Sequence, residues 1–242
     1  MNKESLAPSS HDGLVSWLAR DILDKRLHDE ANGLIVGVDG KGCSGKSLLA
    51  RALAAELQCH GVAVITASID DFCNPRAIRN APDVPEGLQV YHRNFDEQKW
   101  IKHVLKPFHS AGRLQFDEVL LDPASDLYTN RVCLNLESDG VLIAEGLHLR
   151  KRAHRYLFGY SILLHIPDDV QLARALVRDS RDRGKTEQEV RTMYKERYVP
   201  SFRHYLLEDR PCEAVDAVID YQNPDCPILL DPQYASEIAC EM

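Results

Sequence analysis

The chain has no surplus of basic residues, no paired cysteines, no clustered histidines and no long apolar run, and each gap removes a class of function. Lysine and arginine number 29 against 37 aspartates and glutamates, a formal net charge of −8 over 242 residues. Affinity for a polyphosphate backbone needs a dominant basic surface, so nucleic acid is not an expected partner. The seven cysteines are odd in number and form no CxxC pair, as expected of reduced thiols rather than of a disulfide framework or a zinc centre. The ten histidines are dispersed and include no HExxH, so a metal held by protein side chains alone is not expected. No apolar stretch is long enough to span a bilayer, and residues 1–13 lack the basic start and apolar stretch of a secretory signal. A cytoplasmic protein that meets no membrane is the expectation. Proline and glycine are not in excess, which argues against disorder.

What remains is an ordinary globular composition, 44% hydrophobic and 27% charged, in a chain long enough for one core with helices on both faces of a sheet. Leu14, Trp17, Leu18, Ile22 and Leu27 recur at helical spacing, which predicts an amphipathic helix over residues 14–27, ended by Ala31-Asn32-Gly33. Residues 34–38, Leu-Ile-Val-Gly-Val, form the near-continuous β-prone run of a strand buried on both faces. An Ala- and Leu-rich helix over 48–57 and a strand over 62–67 complete a βαβ unit, which implies a parallel sheet with its ligand site at the strands' carboxyl ends. Further strands are expected at 141–144, 161–166 and 214–219, and helices at 98–106, 170–178 and 187–207, the last interrupted at Pro200. Short strands at 115–121 and 131–136 read as an inserted pair, and 73–89, with Pro75, Pro82 and Pro85, as a long loop. The alternation predicts an α/β fold with a doubly wound parallel sheet. It divides into a helical extension over 1–32, the sheet domain over 33–222, and a tail over 223–242 that carries no functional signal.

Between the first strand and its helix stands Gly40-Lys41-Gly42-Cys43-Ser44-Gly45-Lys46-Ser47, which satisfies G-x-x-x-x-G-K-[ST] in the context that motif requires. Glycines let backbone N–H groups turn inward around phosphate oxygens, and the helix that starts there adds the positive end of its dipole. Lys46 then reaches the β- and γ-phosphates of a nucleotide, and the Ser47 hydroxyl a Mg²⁺ ion. The same residues also spell G-x-G-x-x-G, the dinucleotide fingerprint, with Asp70 as the ribose carboxylate, but that reading gives Lys46 and Ser47 no task. A GTPase switch would carry NKxD, which is missing. A nucleotide-binding regulator without acceptor chemistry stays open.

Transfer of a γ-phosphoryl group from ATP to an alcohol needs the loop, a metal, a carboxylate near the acceptor hydroxyl, and positive charge over the transferring group. Asp70 and Asp71 follow the second strand, where adjacent aspartates also commonly form a turn or a cap. Glu145, followed by Gly146, closes another apolar strand and stands where a carboxylate can hold a Mg²⁺ shell. Arg174, Arg178 and Arg181 fall at i, i+4 and i+7 on one helical face, ahead of Arg183-Gly184. That is the composition of a lid closing over ATP, and equally of a solvated face laced with salt bridges.

Together these motifs resemble the uridine kinase and phosphoribulokinase family of P-loop kinases, over most of the stretch from 34 to 220. A strand in that family ends in D-S-F-Y or D-S-F-H, here Asp70-Asp71-Phe72-Cys73, and the uridine kinase N-F-D recurs as Asn94-Phe95-Asp96. Ala144-Glu145-Gly146 resembles the family's V-E-G, and Arg178-Asp179 through Arg183-Gly184 its R-D-x-x-x-R-G lid run. The resemblance implies a nucleoside- or nucleotide-kinase-like P-loop fold with a small inserted hairpin, and ATP with Mg²⁺ as cofactors. It implies Asp70 as catalytic base, assisted by Lys46 and Arg178, with Gly40, Gly42, Cys43, Ser44, Gly45, Lys46, Ser47, Arg181 and Arg183 on the nucleotide. Ser47, Glu145 and Asp70 would serve the metal, and Asp70, Asp71, Phe72, Tyr91, Asp96 and Arg174 the small-molecule acceptor.

A ribonucleoside leads among acceptors, with pantothenate or a sugar or sugar phosphate as the alternative. The family's base-reading Y-D-F and S-H-S-R segment is replaced here by residues 121–128, Leu-Asp-Pro-Ala-Ser-Asp-Leu-Tyr, and a later family glutamine by Met193 before Tyr194. Self-association into a homo-oligomer is left open.

Overall fold

The computed structural model describes residues 10–28, 33–137 and 140–230. The expected helix end at Ala31-Asn32 and residues 231–242 of the tail lie outside them. The leading helix is α1 (His11–His28), which buries Leu14, Val15, Leu18, Ala19 and Ile22. Leu27, expected on that stripe, is exposed. It lies five residues past Ile22, about 140° round the helix from it, so the apolar face runs through Val15 and Ala19 instead.

After β1 (Leu34–Gly40), α2 (Lys46–Cys59) and β2 (Val64–Ser68) come two short helices, α3 (Arg76–Arg79) and α4 (Glu86–Arg93). Next, α5 (Glu97–Trp100) and α6 (Lys106–Ala111) flank a π turn and lead to the antiparallel pair β3 (Leu114–Asp122) and β4 (Leu127–Leu136). The second half runs β5 (Val141–Gly146), β6 (Tyr160–His165), α7 (Asp168–Arg183), α8 (Glu187–Met193), α9 (Val199–Asp209), β7 (Ala217–Asp220) and β8 (Ile228–Leu230). Among the described residues the main sheet has the order β2-β5-β1-β6-β7-β8, parallel except at β8. This is the expected doubly wound α/β arrangement. β8 is an antiparallel edge strand that the proline-rich tail had concealed.

Both central strands are buried along their whole length, and alternate residues serve opposite layers. Leu34, Val36 and Val38 of β1, with Val141 and Ile143 of β5, pack against α1 and α2. Ile35, Leu142 and Ala144 face Trp100, Leu105 and Phe108 on the other side. α1 therefore shares the core that residues after Gly33 build. No helix among the described residues is long and apolar enough to cross a membrane.

Two expectations change. Residues 73–89 are not one loop, because α3 and the first turn of α4 lie within them. Each starts directly after a proline, Pro75 or Pro85, at positions where a helical N–H has no partner in any case, so the prolines open helices here. The long helix after residue 187 is interrupted ahead of Pro200, by a π turn over Tyr194–Tyr198.

Leu18 is fully buried between α1 and the sheet, so Leu18→Ala is expected to lower unfolding free energy by about 2–5 kcal/mol in urea titration. A loss under about 1 kcal/mol would mean that α1 is peripheral to the core.

Candidate active site

β2, β5 and β1 lie side by side and parallel, so their carboxyl ends meet along one edge. Glu145 pairs in register with Val38 on one side and with Ser68 on the other. Strand pairing alone thus brings together the loop after β1, the Glu145 carboxylate and the Ile69–Phe72 turn that carries Asp70 and Asp71. Gly146 makes the approach close. It has φ +149°, and a Cβ there would lie 2.3 Å from Ile69 Cγ2, so only glycine lets β5 end flush against that turn.

The loop itself is held from several directions. Asp39, the last carboxylate of β1 and 1% exposed, accepts from Gly40 N at 2.7 Å and from the Tyr205 hydroxyl. Burial raises its pKa, opposed by those two hydrogen bonds. Lys41 carries its ammonium to Asp168 at the start of α7. Inside the loop, the Lys41 carbonyl accepts from Lys46 Nζ at 2.7 Å and from Ser44 N at 3.3 Å. Gly45, at φ +99°, stands so close to the Tyr221 ring that a Cβ would sit 2.7 Å from it. α2 begins at the next residue, which aims its unpaired N-terminal N–H groups at the mouth of the loop.

The Ser47 hydroxyl donates to Glu145 Oε1 at 3.0 Å. A hydroxyl and a carboxylate are hard oxygen donors, the kind Mg²⁺ takes while keeping several waters. Asp70, close enough to raise the Glu145 pKa, offers a third such oxygen. The donor set fits that ion.

Beside this edge the segments around residues 73 and 95 are laced together. Asn74 N donates to Asn94 O at 2.9 Å and Asp96 N to Phe72 O at 2.8 Å. The Asp96 carboxylate caps α5 by accepting from Lys99 N at 2.9 Å. Asp71 accepts from Asn130 of β4 at 3.1 Å, and burial raises its pKa. Phe72 turns away from this edge into the core, with its ring 5.0 Å from that of Trp100. Tyr91 is also committed elsewhere: its hydroxyl donates to Asp209 Oδ2 at 2.6 Å, and Lys151 lies 4.0 Å over its ring. Lys151 also donates to Tyr91 O and to Glu97, which fastens α4 to the segment after β5.

Of the arginines on α7, Arg178 donates to Asp179 Oδ1 at 2.8 Å and to the Tyr194 hydroxyl at 3.2 Å, and Arg183 lies 3.5 Å from the same Asp179 oxygen. The fully buried Asp179 therefore gathers two of the α7 arginines, while Arg181 is exposed. Tyr194 also approaches Cys43 Sγ at 3.5 Å and so connects the end of α8 with the loop. Arg174 spends its guanidinium on four backbone carbonyls, two in the loop itself, of Cys43 and Ser44, and two after β7, of Tyr221 and Gln222. Asp39 and the Lys41–Asp168 pair escaped the sequence reading. Asp39 was findable by the rule that singled out Glu145, a charge closing an apolar strand, whereas nothing local pairs Lys41 with a residue so far along the chain.

The "Phosphoribulokinase / Uridine kinase family" profile matches residues 35–223. The uridine kinase of Aeromonas salmonicida (strain A449) is 30% identical over 182 residues, covering 72% of this chain and 80% of that protein. That of Shewanella amazonensis is 28% identical over 178 residues, covering 72% and 81%. Among solved structures, a possible uridine kinase from Bacillus stearothermophilus superposes with a TM-score of 0.66 at 21% identity, covering 84% of this chain and 96% of that one.

Burial raises the Glu145 pKa, with Lys46 opposing and Asp70 reinforcing the shift. An acid whose folded pKa is raised favours the folded state below its ordinary pKa, and that contribution is lost as pH climbs through the raised value. Glu145→Gln, which cannot charge, is expected to melt above the parent at about pH 7.5 and together with it at about pH 4. Equal melting at both would show that the carboxylate is not penalised.

Proposed function

The chain belongs to the phosphoribulokinase and uridine kinase family of P-loop kinases, which act on small-molecule hydroxyls, and we propose that it transfers the γ-phosphoryl group of ATP to a ribonucleoside. The observation that carries this reading is the Ser47 hydroxyl 3.0 Å from the Glu145 carboxylate at the loop's mouth, with Asp70 at the end of the adjoining strand. Asn94-Phe95-Asp96, tied to the Asp70 turn through Phe72 O, supports a ribose acceptor, as do the relatives named uridine kinase.

In this mechanism the loop amides and Lys46 orient the triphosphate. Ser47, Glu145 and Asp70 would hold Mg²⁺, which would supply positive charge to the phosphate oxygens. Asp96 fixes the sugar hydroxyls. Asp70 takes the proton from the attacking hydroxyl as its bond to phosphorus forms and the bond from phosphorus to the ADP oxygen breaks. Arg178, braced by Asp179, supplies positive charge, and the lid excludes water.

One observation favours a pantothenate or sugar acceptor instead. The segment that in uridine kinases reads the base is here a tight turn in which Asp122, Ser125 and Asp126 are already engaged. Ser125 Oγ donates to Asp122 at 2.6 Å, and Arg76 donates to Ala124 O at 2.7 Å and through its backbone N to Asp126 at 2.9 Å.

A panel of nucleosides, pantothenate and sugars incubated with ATP and Mg²⁺, read by product mass, is expected to yield a nucleoside monophosphate. Phosphorylated pantothenate or sugar would select the second reading, and ATP turnover without any phosphorylated acceptor would exclude both. Asp70→Asn is expected to lose about 10²- to 10⁴-fold in turnover while still binding ATP in calorimetry. Near-normal turnover would remove Asp70 from the proton transfer.

A further inference from the structure

Arg174 has a place in the fold that its sequence position does not suggest. Nη1 donates to Cys43 O at 3.1 Å and Ser44 O at 3.5 Å, and Nη2 to Tyr221 O at 3.0 Å and Gln222 O at 2.9 Å. One guanidinium thus bridges the phosphate loop and the segment after β7, entirely through backbone carbonyls.

We propose that Arg174 is a positioning residue for the phosphate loop, holding the Cys43 and Ser44 carbonyls outward so that the loop keeps its curl and the Gly45 amide faces the bound phosphates. The geometry follows from the planar trans peptide, in which C=O and N–H point in opposite directions. The Cys43 carbonyl shares its plane with Ser44 N–H, and the Ser44 carbonyl with Gly45 N–H. Ser44 N–H closes the curl of the loop by donating to the Lys41 carbonyl that also receives Lys46 Nζ, which leaves Gly45 N–H as the amide presented to phosphate. Cys43 sits at φ +62°, a left-handed conformation that a residue with a side chain adopts when its surroundings impose it. The bond from Arg174 to its carbonyl is such a constraint.

Two further contacts make the bracket stiff. The Tyr221 ring packs directly against Gly45, so the segment after β7 touches the loop at a second point. Asp168, on the first turn of the helix that carries Arg174, pairs with Lys41. Helix, loop and the Tyr221 segment are thereby locked in one arrangement. A lysine could not replace the arginine, because a single ammonium lacks the planar fork that reaches two pairs of carbonyls.

The inference rests on the loop binding a nucleoside triphosphate, and the test separates the two. Calorimetry with Mg-ATP and steady-state KM for the acceptor are measured for the parent, Arg174→Lys and Arg174→Ala, with thermal melts alongside. Both variants are expected to bind Mg-ATP about 10- to 100-fold more weakly, the range for losing charge-assisted hydrogen bonds. The acceptor KM should stay within about twofold. Methylguanidine in the buffer should restore affinity to Arg174→Ala and not to Arg174→Lys. If Arg174→Ala does not fold, the loss in Arg174→Lys decides the matter. Parent-like Mg-ATP affinity in the folded variants overturns the proposal, as does a raised acceptor KM with ATP affinity intact, which would return Arg174 to the acceptor. A parent that takes up no Mg-ATP would instead remove the nucleotide reading, and this inference with it.

Discussion

Parallel strands buried along their whole length, as β1 and β5 are, have no place for a charged side chain except at their ends, and here they end level with the adjoining β2. β5 lies between β1 and β2 and pairs with both. Every polar group that leaves these strands at the carboxyl end is therefore delivered to one edge, within reach of the others. The Ser47–Glu145 hydrogen bond and the contact of Gly146 with the Asp70 turn are consequences of that register. The phosphate loop, the metal-competent oxygens and the candidate base share one origin.

A loop whose amides face inward must face its carbonyls outward, and outward carbonyls inside a protein need donors. Arg174 serves two of them. The strand leading into the loop is held in turn by Asp39, through Gly40 N and the Tyr205 hydroxyl, and Tyr205 comes from α9, far along the chain. The buried carboxylates at this edge have raised pKa values, chiefly through burial. Such strain is common where chemistry requires charge in a poorly solvated place. The apolar layers on either side of β1 and β5 bear its cost.

The region around Asp70 and Asp96 is built differently. Its walls come from separate elements, the Asp70 turn, the residues leading into α5 and the β3–β4 hairpin, joined by hydrogen bonds such as Asn130 to Asp71 and Asp96 N to Phe72 O. Where the sheet fixes the phosphate end by backbone register, this end depends on hydrogen bonds between separate elements.

Much of this was legible from local pattern. Runs of apolar residues marked the buried strands, glycine spacing marked the phosphate loop, and a charge closing an apolar strand marked Glu145, since in each case conformation and chemistry reside in the same few neighbouring residues. The short helices after Pro75 and Pro85 were missed because proline opens a helix as readily as it breaks one, and β8 because a three-residue edge strand takes its pattern from its partner. Apolar runs and glycine spacing were enough to place the parallel strands, the loop and the edge where they meet. It took the folded chain to show that Phe72 and Tyr91 pack inward and that Arg174 turns to the loop's carbonyls. A side chain's direction depends on which distant element lies against it, and helical or strand spacing carries no record of that.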